Sequence, residues 1–286
     1  MIDGSLKSVL DEEKISKALK DKSVEKLQGN KRIYIFSDHS DSRKPYSKKL
    51  ENLGKVRALN GDIINGYTTL GSVILDESKK ELTLSNISVQ SNKEPSFITK
   101  KEMQDYDSGK IKNTQRVKEI EKIIEDDNYQ NVSTVLHKHL KEQSEAFKAV
   151  TPDISICHVH DRGCDSAEYL EFITDTLHDE AVVRAKKSRN SGQTKINPKT
   201  KRKIKVKLIE SEFAHKKVYL IDHLTMKGNH YFQVKCHIDW DTTLINERGY
   251  SVVRISLIKR DGKPIHKEPM LLISTLKISN YLLMLR

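Results

Sequence analysis

The stretch Ile154-Ser155-Ile156-Cys157-His158-Val159-His160-Asp161-Arg162 is a short apolar run that ends on charge. Pro152 breaks whatever precedes it, and the run then reads as a strand. Asp161 falls just beyond that strand's C-terminal end. A second stretch, Arg32-Ile33-Tyr34-Ile35-Phe36, reads as a buried strand, because both of its faces are apolar. It leads into the polar patch Ser37-Asp38-His39-Ser40-Asp41. If the two strands are parallel neighbours, the carboxylates of Asp38 and Asp161 meet at one edge of a sheet. Hard oxygen ligands held that way bind Mg²⁺ or Mn²⁺. A pair of such ions about 3.5–4 Å apart activates a nucleophile and stabilises a leaving oxygen in phosphoryl transfer. An aspartate after a strand is more often a turn former or helix cap. In Asp165-Ser166-Ala167-Glu168, Asp165 fits the N-cap of a following helix, which leaves Asp161 without that role. Spacing does not choose between Asp38 and Asp41.

Working outward, residues 6–27 carry Leu6, Val9, Leu10, Ile15, Leu19, Val24 and Leu27 at roughly helical spacing, and Gly29-Asn30 closes the element. Residues 63–75 and 82–89 read as an antiparallel hairpin around Asp76-Glu77-Ser78-Lys79-Lys80. Residues 91–112 are polar and read as irregular. Two helices follow, marked by Val117, Ile120, Ile123 and Ile124, and by Val132, Val135, Leu136, Leu140 and Phe147. After Asp161 comes a helix with Leu170, Ile173 and Leu177 on one side, then a strand at 181–185. The order strand, strand, strand, helix, strand, helix, strand over 32–185 predicts an α/β fold, a mixed sheet covered by helices. The ribonuclease-H-like fold is one of several that share it. A β-rich region follows, in which strands at 218–224 and 230–238 flank a Gly228-Asn229 turn, and strands at 250–258 and 270–276 flank Arg260-Asp261-Gly262-Lys263, a hairpin signal.

The 286 residues carry 51 Lys and Arg against 40 Asp and Glu, a net charge of +11, which favours a polyanionic partner, nucleic acid first. From Arg184 to Lys207 there are eleven Lys or Arg and no Asp or Glu. So many cations without an anion repel one another, and phosphates would relieve the repulsion and release counterions. Salt-sensitive, largely sequence-nonspecific duplex binding is expected through Arg184, Lys186, Lys187, Arg189, Lys201, Arg202 and Lys203. Ser191-Gly192 and Pro198 break this run in the middle, and it is read as two strand ends flanking an exposed basic loop. The chain shows no apolar run of the roughly 20 residues that a membrane helix needs. The three cysteines, Cys157, Cys164 and Cys236, have no CxxC spacing and suggest neither a zinc site nor a disulfide framework, which fits a reducing cytoplasm. His158 and His160 are read as a buried, hydrogen-bonded histidine and an edge histidine, and Trp240 as a core or loop anchor.

Ser37-Asp38-His39-Ser40-Asp41-Ser42-Arg43-Lys44-Pro45-Tyr46 resembles the first catalytic motif of DDE transposases of bacterial insertion sequences, in the insertion-sequence-four-like branch with a Tyr-Arg-Glu-Lys signature. The resemblance continues at Lys55-Val56, Gly66-Tyr67, His158-Val159-His160-Asp161-Arg162, Asp165, Tyr169 and Val182-Val183-Arg184-Ala185-Lys186. It returns at Val253-Arg254, Gly262-Lys263-Pro264 and Pro269-Met270-Leu271-Leu272, and so spans most of residues 31–277. It implies a ribonuclease-H-like core with two divalent ions, Asp38 as first carboxylate and Asp161 as second, and a β-rich insertion before the helix that carries a catalytic Glu. It also implies metal-dependent strand cleavage and strand transfer in DNA transposition, in a bacterial, nucleoid-associated cytoplasmic protein.

The sequence departs from the family at two points. Gly163 stands where the family often has an acid two positions after the second Asp. The signature helix should follow a strand at 270–276, but only ten residues come after it, so no third carboxylate is assigned. On this reading the chain is a transposase fragment, truncated at both ends and inactive alone. Its parts are an N-terminal helical segment (1–30), the first part of the catalytic core (31–187), a β-rich insertion with a basic loop (188–268), and a returning strand with a truncated end (269–286). Double-stranded DNA is the expected partner, with a second copy or the full-length transposase beside it and no membrane. The rival readings are a non-catalytic DNA-binding or inhibitory fragment, and a metal-dependent nuclease of the same fold.

Overall fold

A computed structural model describes residues 12–76, 81–126, 129–245 and 247–276. Expectations that rest on Leu6, Val9 and Leu10, on the turn at 77–80, and on the end of the chain after residue 276 lie outside the described residues. The chain divides into two units, Met1–Ile156 and Cys157–Arg286. Both belong to a mixed α/β architecture of sheets with flanking helices.

In the first unit, α1 (Glu12–Leu27) buries Ser23, Val24 and Leu27 on one side. It stops where the sequence says it should. Gly29 takes φ +83°, the left-handed conformation that ends helices, and Asn30 caps the carbonyl of Leu27 through both its backbone and side-chain nitrogens. The sheet is built on a long central strand, β3 (Ile63–Asp76). It pairs antiparallel with β1 (Arg32–Arg43), with the short β2 (Gly54–Arg57) and with β4 (Leu82–Gln90).

β1 alternates cleanly over its first half, with Ile33, Ile35 and Ser37 buried. These two isoleucines join Val24 and Leu27 of α1, Ile74 of β3, Ile154 and Ile156, and Phe147 in one core cluster. Phe147 belongs to α4 (Val132–Val150), whose buried stripe of Leu136, His139, Leu140, Gln143 and Phe147 recurs at three- and four-residue spacing. Asn131 closes a capping box with Thr134 at its start. The helix α3 (Thr114–Glu125) also falls where its periodicity predicts.

Three local expectations change. The polar patch after Phe36 is strand rather than loop, since β1 keeps an unbroken register with β3 from Ile33 to Arg43. Within the stretch expected to be irregular, α2 (Lys100–Asp107) forms with Thr99 as N-cap, accepting from the amide of Glu102. In the basic run the two strand ends are longer than expected and pair as an antiparallel hairpin of the second unit, β7 (Asn190–Ile196) and β8 (Lys203–Lys207), which shortens the loop between them to residues 197–202.

In the second unit, β5 (Ser155–His160) and β6 (Glu180–Arg184) are parallel from Cys157↔Glu180 to His160↔Val183. A parallel pair needs a crossover, and residues 161–179 supply it. They comprise a short 3₁₀ turn, then α5 (Ala167–Glu171), which runs into a π-helical turn at Phe172–Thr176. The remaining strands are antiparallel: β6 to β12 (Met270–Ser274), β12 to β11 (Arg248–Ile258), β11 to β10 (Asn229–Ile245), and β10 to β9 (His215–Met226). One face of this sheet carries Cys236, Ile238 and Val253 with Tyr219, Ile221, Trp240, Ile255, Leu257 and Leu272. Trp240 is half-buried in that face and stacks on His215, its cross-strand partner, with ring centroids 5.5 Å apart.

Candidate nucleic-acid interface and carboxylate loop

Asp38 belongs to the first unit and lies within β1, opposite Gly71 of β3. Its carboxylate is exposed and makes no hydrogen bond or ion pair among the described residues. Ser37, immediately before it, is buried and shares a 2.5 Å contact with the hydroxyl of Ser72, which in turn meets Nε2 of His139 at 2.7 Å. Asp41 lies on the same strand opposite Thr68. Side chains three apart on a regular strand leave opposite faces, so Asp38 and Asp41 cannot serve one site together.

Asp161 belongs to the second unit and follows β5 directly. It caps the 3₁₀ turn Arg162–Cys164, accepting from the amide of Gly163 at 2.7 Å. The capping role expected of Asp165 is divided differently. Ser166 caps α5 through the amide of Tyr169. Asp165 is instead buried and grips the far side of the crossover. It accepts from the backbone amide of Lys186 at 2.6 Å, and its other oxygen pairs with the guanidinium of Arg189. The Asp165 carbonyl also receives Arg189 Nη2 at 2.9 Å and Lys186 Nζ at 3.3 Å. Its side chain is 0% exposed and that of Arg189 19%.

Of the two histidines of β5, His158 is buried and hydrogen-bonded as expected, whereas His160 is buried rather than at an edge. Two apart on a strand, they share a face, and both are buried. His158 Nε2 meets Asp179 Oδ2 at 2.9 Å. His160 packs edge-on against Tyr169, whose hydroxyl burial pushes well above its ordinary pKa.

The seven cations expected to touch DNA fall into two groups. Lys187 pairs with Glu268, whose carboxyl is lowered by that hydrogen bond, and Arg189 is held by Asp165. Arg184, Lys201, Arg202 and Lys203 are exposed and make no ion pair among the described residues, and the exposed Lys186 reaches only the Asp165 carbonyl. Lys201, at φ +56°, and Arg202 form the turn of the β7–β8 hairpin, where Asn197 accepts from the amides of Lys199 and Thr200.

Lys205 and Lys207, which are not among the seven, lie next to them. On β8 the order Lys203-Ile204-Lys205-Val206-Lys207 buries Val206 and exposes all three lysines. They stand in a row on one face, about 6.8 Å apart at the rise of a strand. The period-two signal is visible in the sequence once the segment is read as strand. At its root the hairpin is fixed by Thr243, which donates to the Ser191 carbonyl at 2.7 Å, and by the Leu208 amide, which donates to the Arg189 carbonyl at 2.7 Å.

Among the described residues no three His, Cys, Asp or Glu side chains form a group that could hold a metal ion, and no helix is long and apolar enough to cross a membrane. No protein-family model matches the chain, and a search of curated proteins gives no match.

Proposed function

We propose that this chain is a DNA-binding protein of the DDE transposase type with a ribonuclease-H-like core. In this reading it belongs to the metal-dependent strand cleavage and strand transfer of DNA transposition. The observation that carries the reading is the grip of Asp165 on Lys186 and Arg189. It ties the root of a cationic hairpin to the loop that bears Asp161, four residues away, so a DNA-contacting element and a carboxylate loop share one rigid anchor. The strand pattern adds support. Four strands, β1 to β4, come first, with β1, β2 and β4 each antiparallel to β3. The first residues of β5 then enter the core beside β1, with the Ser155 amide donating to the Lys31 carbonyl at 2.9 Å, and β5 is parallel to β6.

Asp38 and Asp161 are the carboxylates assigned to hold Mg²⁺ or Mn²⁺. Their chemistry fits a hard cation, since each presents carboxylate oxygen to solvent and Asp161 has only Oδ1 engaged by the protein. The ion would supply Lewis-acid stabilisation of phosphoryl oxygens. The chain's own residues supply the rest. Lys201, Arg202, Lys203, Lys205 and Lys207 attract the phosphate backbone, and Asp165 orients the hairpin. No third carboxylate is assigned in this reading.

The test combines a duplex DNA titration across a salt series with Mn²⁺ titration of the wild type, Asp38→Ala and Asp161→Ala. Expected are salt-sensitive duplex binding and Mn²⁺ uptake that each alanine variant loses. Duplex binding with no metal uptake would move the reading to a non-catalytic DNA-binding module. Metal-dependent nicking without strand transfer would move it to a nuclease. Absence of duplex binding at low salt would overturn it.

A further inference from the structure

The far end of the long β9–β10 hairpin carries a group that the reading above leaves unused. Lys227 and Gly228, at φ +49° and +76°, form a tight two-residue turn between Met226 and its partner Asn229. Just behind the turn, Thr225 stands opposite His230 and His223 opposite Phe232. Directly opposed residues and residues two apart share a face of a sheet, so all four side chains rise from the same side of the hairpin.

Their donor atoms converge. His223 Nε2 lies 3.1 Å from His230 Nδ1, and Thr225 Oγ1 lies 3.1 Å from that Nδ1 and 3.5 Å from that Nε2. Phe232 stacks on the His223 ring, centroids 4.9 Å apart, and so holds it toward the group. All four residues are exposed and reachable from solvent.

We infer that His223, His230 and Thr225 form a binding site for a divalent transition-metal ion such as Zn²⁺ or Ni²⁺. Imidazole nitrogens bind such ions at about 2.0–2.1 Å, so two nitrogens on one ion stand about 2.9 Å apart at a right angle and about 3.4 Å apart at the tetrahedral angle. The observed separation of 3.1 Å falls between these. In the present hydrogen bond one of the two facing nitrogens carries a proton; to bind a metal that ring takes its other tautomer, with the proton on the ring nitrogen that faces away. The threonine hydroxyl lies within reach as a third, weaker donor, and water completes the shell. Nitrogen donors favour Zn²⁺, Ni²⁺ and Cu²⁺, whereas Mg²⁺ and Ca²⁺ want carboxylate and carbonyl oxygen. No carboxylate belongs to this group, so the site is chemically distinct from the Mg²⁺ or Mn²⁺ assigned to Asp38 and Asp161.

Calorimetric titration of the full chain with Ni²⁺ and with Zn²⁺ tests the inference. The chain has eleven histidines, so the variants identify the site. One saturable event is expected in the wild type, absent from His223→Ala and from His230→Ala, retained but weaker in Thr225→Val, and retained in His237→Ala as a control. With Cu²⁺, paramagnetic broadening in an NMR spectrum should fall on His223 and His230 and spare His237. Because the altered side chains are exposed, an unchanged circular dichroism spectrum shows that each variant is folded. No saturable uptake by the wild type, or uptake unchanged in the His223→Ala/His230→Ala double variant, overturns the inference. Neither result bears on duplex DNA binding, which is measured separately.

Discussion

Arg189 lays its guanidinium against the fully buried carboxylate of Asp165, twenty-four residues back along the chain. That pair joins the start of the basic hairpin to the crossover that begins at Asp161. Removing one member of a buried ion pair strands the other, at a cost of about 3–5 kcal/mol, and the partial exposure of Arg189 moves the expectation to the lower end. Asp165→Asn should therefore destabilise the second unit by about 3 kcal/mol. Trp240, the only tryptophan, sits in that unit, and its fluorescence in a urea titration reads the loss directly. An unchanged urea midpoint would show that the pair contributes nothing.

Gly66 and Gly71 share β3 but face different surroundings. A Cβ on Gly66 would lie 2.5 Å from Val56 Cγ2 and 2.6 Å from the backbone oxygen of Ser42, whereas nothing lies within 4 Å of one on Gly71. Overpacking against backbone costs about 1–3 kcal/mol. Gly66→Ala should lower the melting temperature, while Gly71→Ala leaves it within a degree or two. Equal effects would contradict the close approach of β1 and β2 to β3.

Lys203, Lys205 and Lys207 form one exposed row. Each phosphate contact contributes about 0.9 to the slope of log affinity against log salt on duplex DNA. The triple change to Glu should weaken duplex binding for every sequence alike and flatten that slope by about 3. Lys187→Glu should alter it much less, because Lys187 already faces Glu268. A slope unchanged by the triple variant would remove the hairpin from the interface.

Asp175 is lowered below the ordinary aspartate value chiefly by its hydrogen bond to Arg248, 2.8 Å from Oδ1. A depressed folded-state value means that the unfolded chain takes up the proton first. The pair therefore stabilises the fold above the unfolded value of about 3.9, and the contribution is lost as pH falls through the folded value. An NMR titration of the Asp175 carboxyl should show an acid-shifted midpoint in the wild type and a return toward the ordinary range in Arg248→Ala. Identical midpoints would sink the assignment.

Periodicity and capping made much of this fold legible. The helices α3 and α4, the β3–β4 hairpin and the strands β5, β6, β9, β10, β11 and β12 follow from apolar spacing and turn residues. At the polar patch after Phe36 the difference comes from pairing between strands remote in sequence. Ser37 to Arg43 contains no large apolar side chain, so local propensity reads it as loop. The long partner strand β3 nevertheless pairs it throughout, as tertiary context overrides propensity. The basic run keeps its expected plan of two strand ends around an exposed loop, but the strands are longer than expected. Ser191-Gly192 reads as a breaker, yet Gly192 at φ +78° sits where the β7–β8 register shifts, and the hairpin continues past it. For the site residues, the sequence showed the cations but not which of them face an anion, because Glu268 and Asp165 are distant from Lys187 and Arg189 along the chain.

The hydroxyl relay from Ser37 through Ser72 to His139 has a consequence for Asp38. It latches the strand to α4 one residue before the carboxylate, so the height of Asp38 along β1 is set from a helix whose sequence lies a hundred residues downstream. Substitution at His139 would thus be felt at an aspartate it never touches.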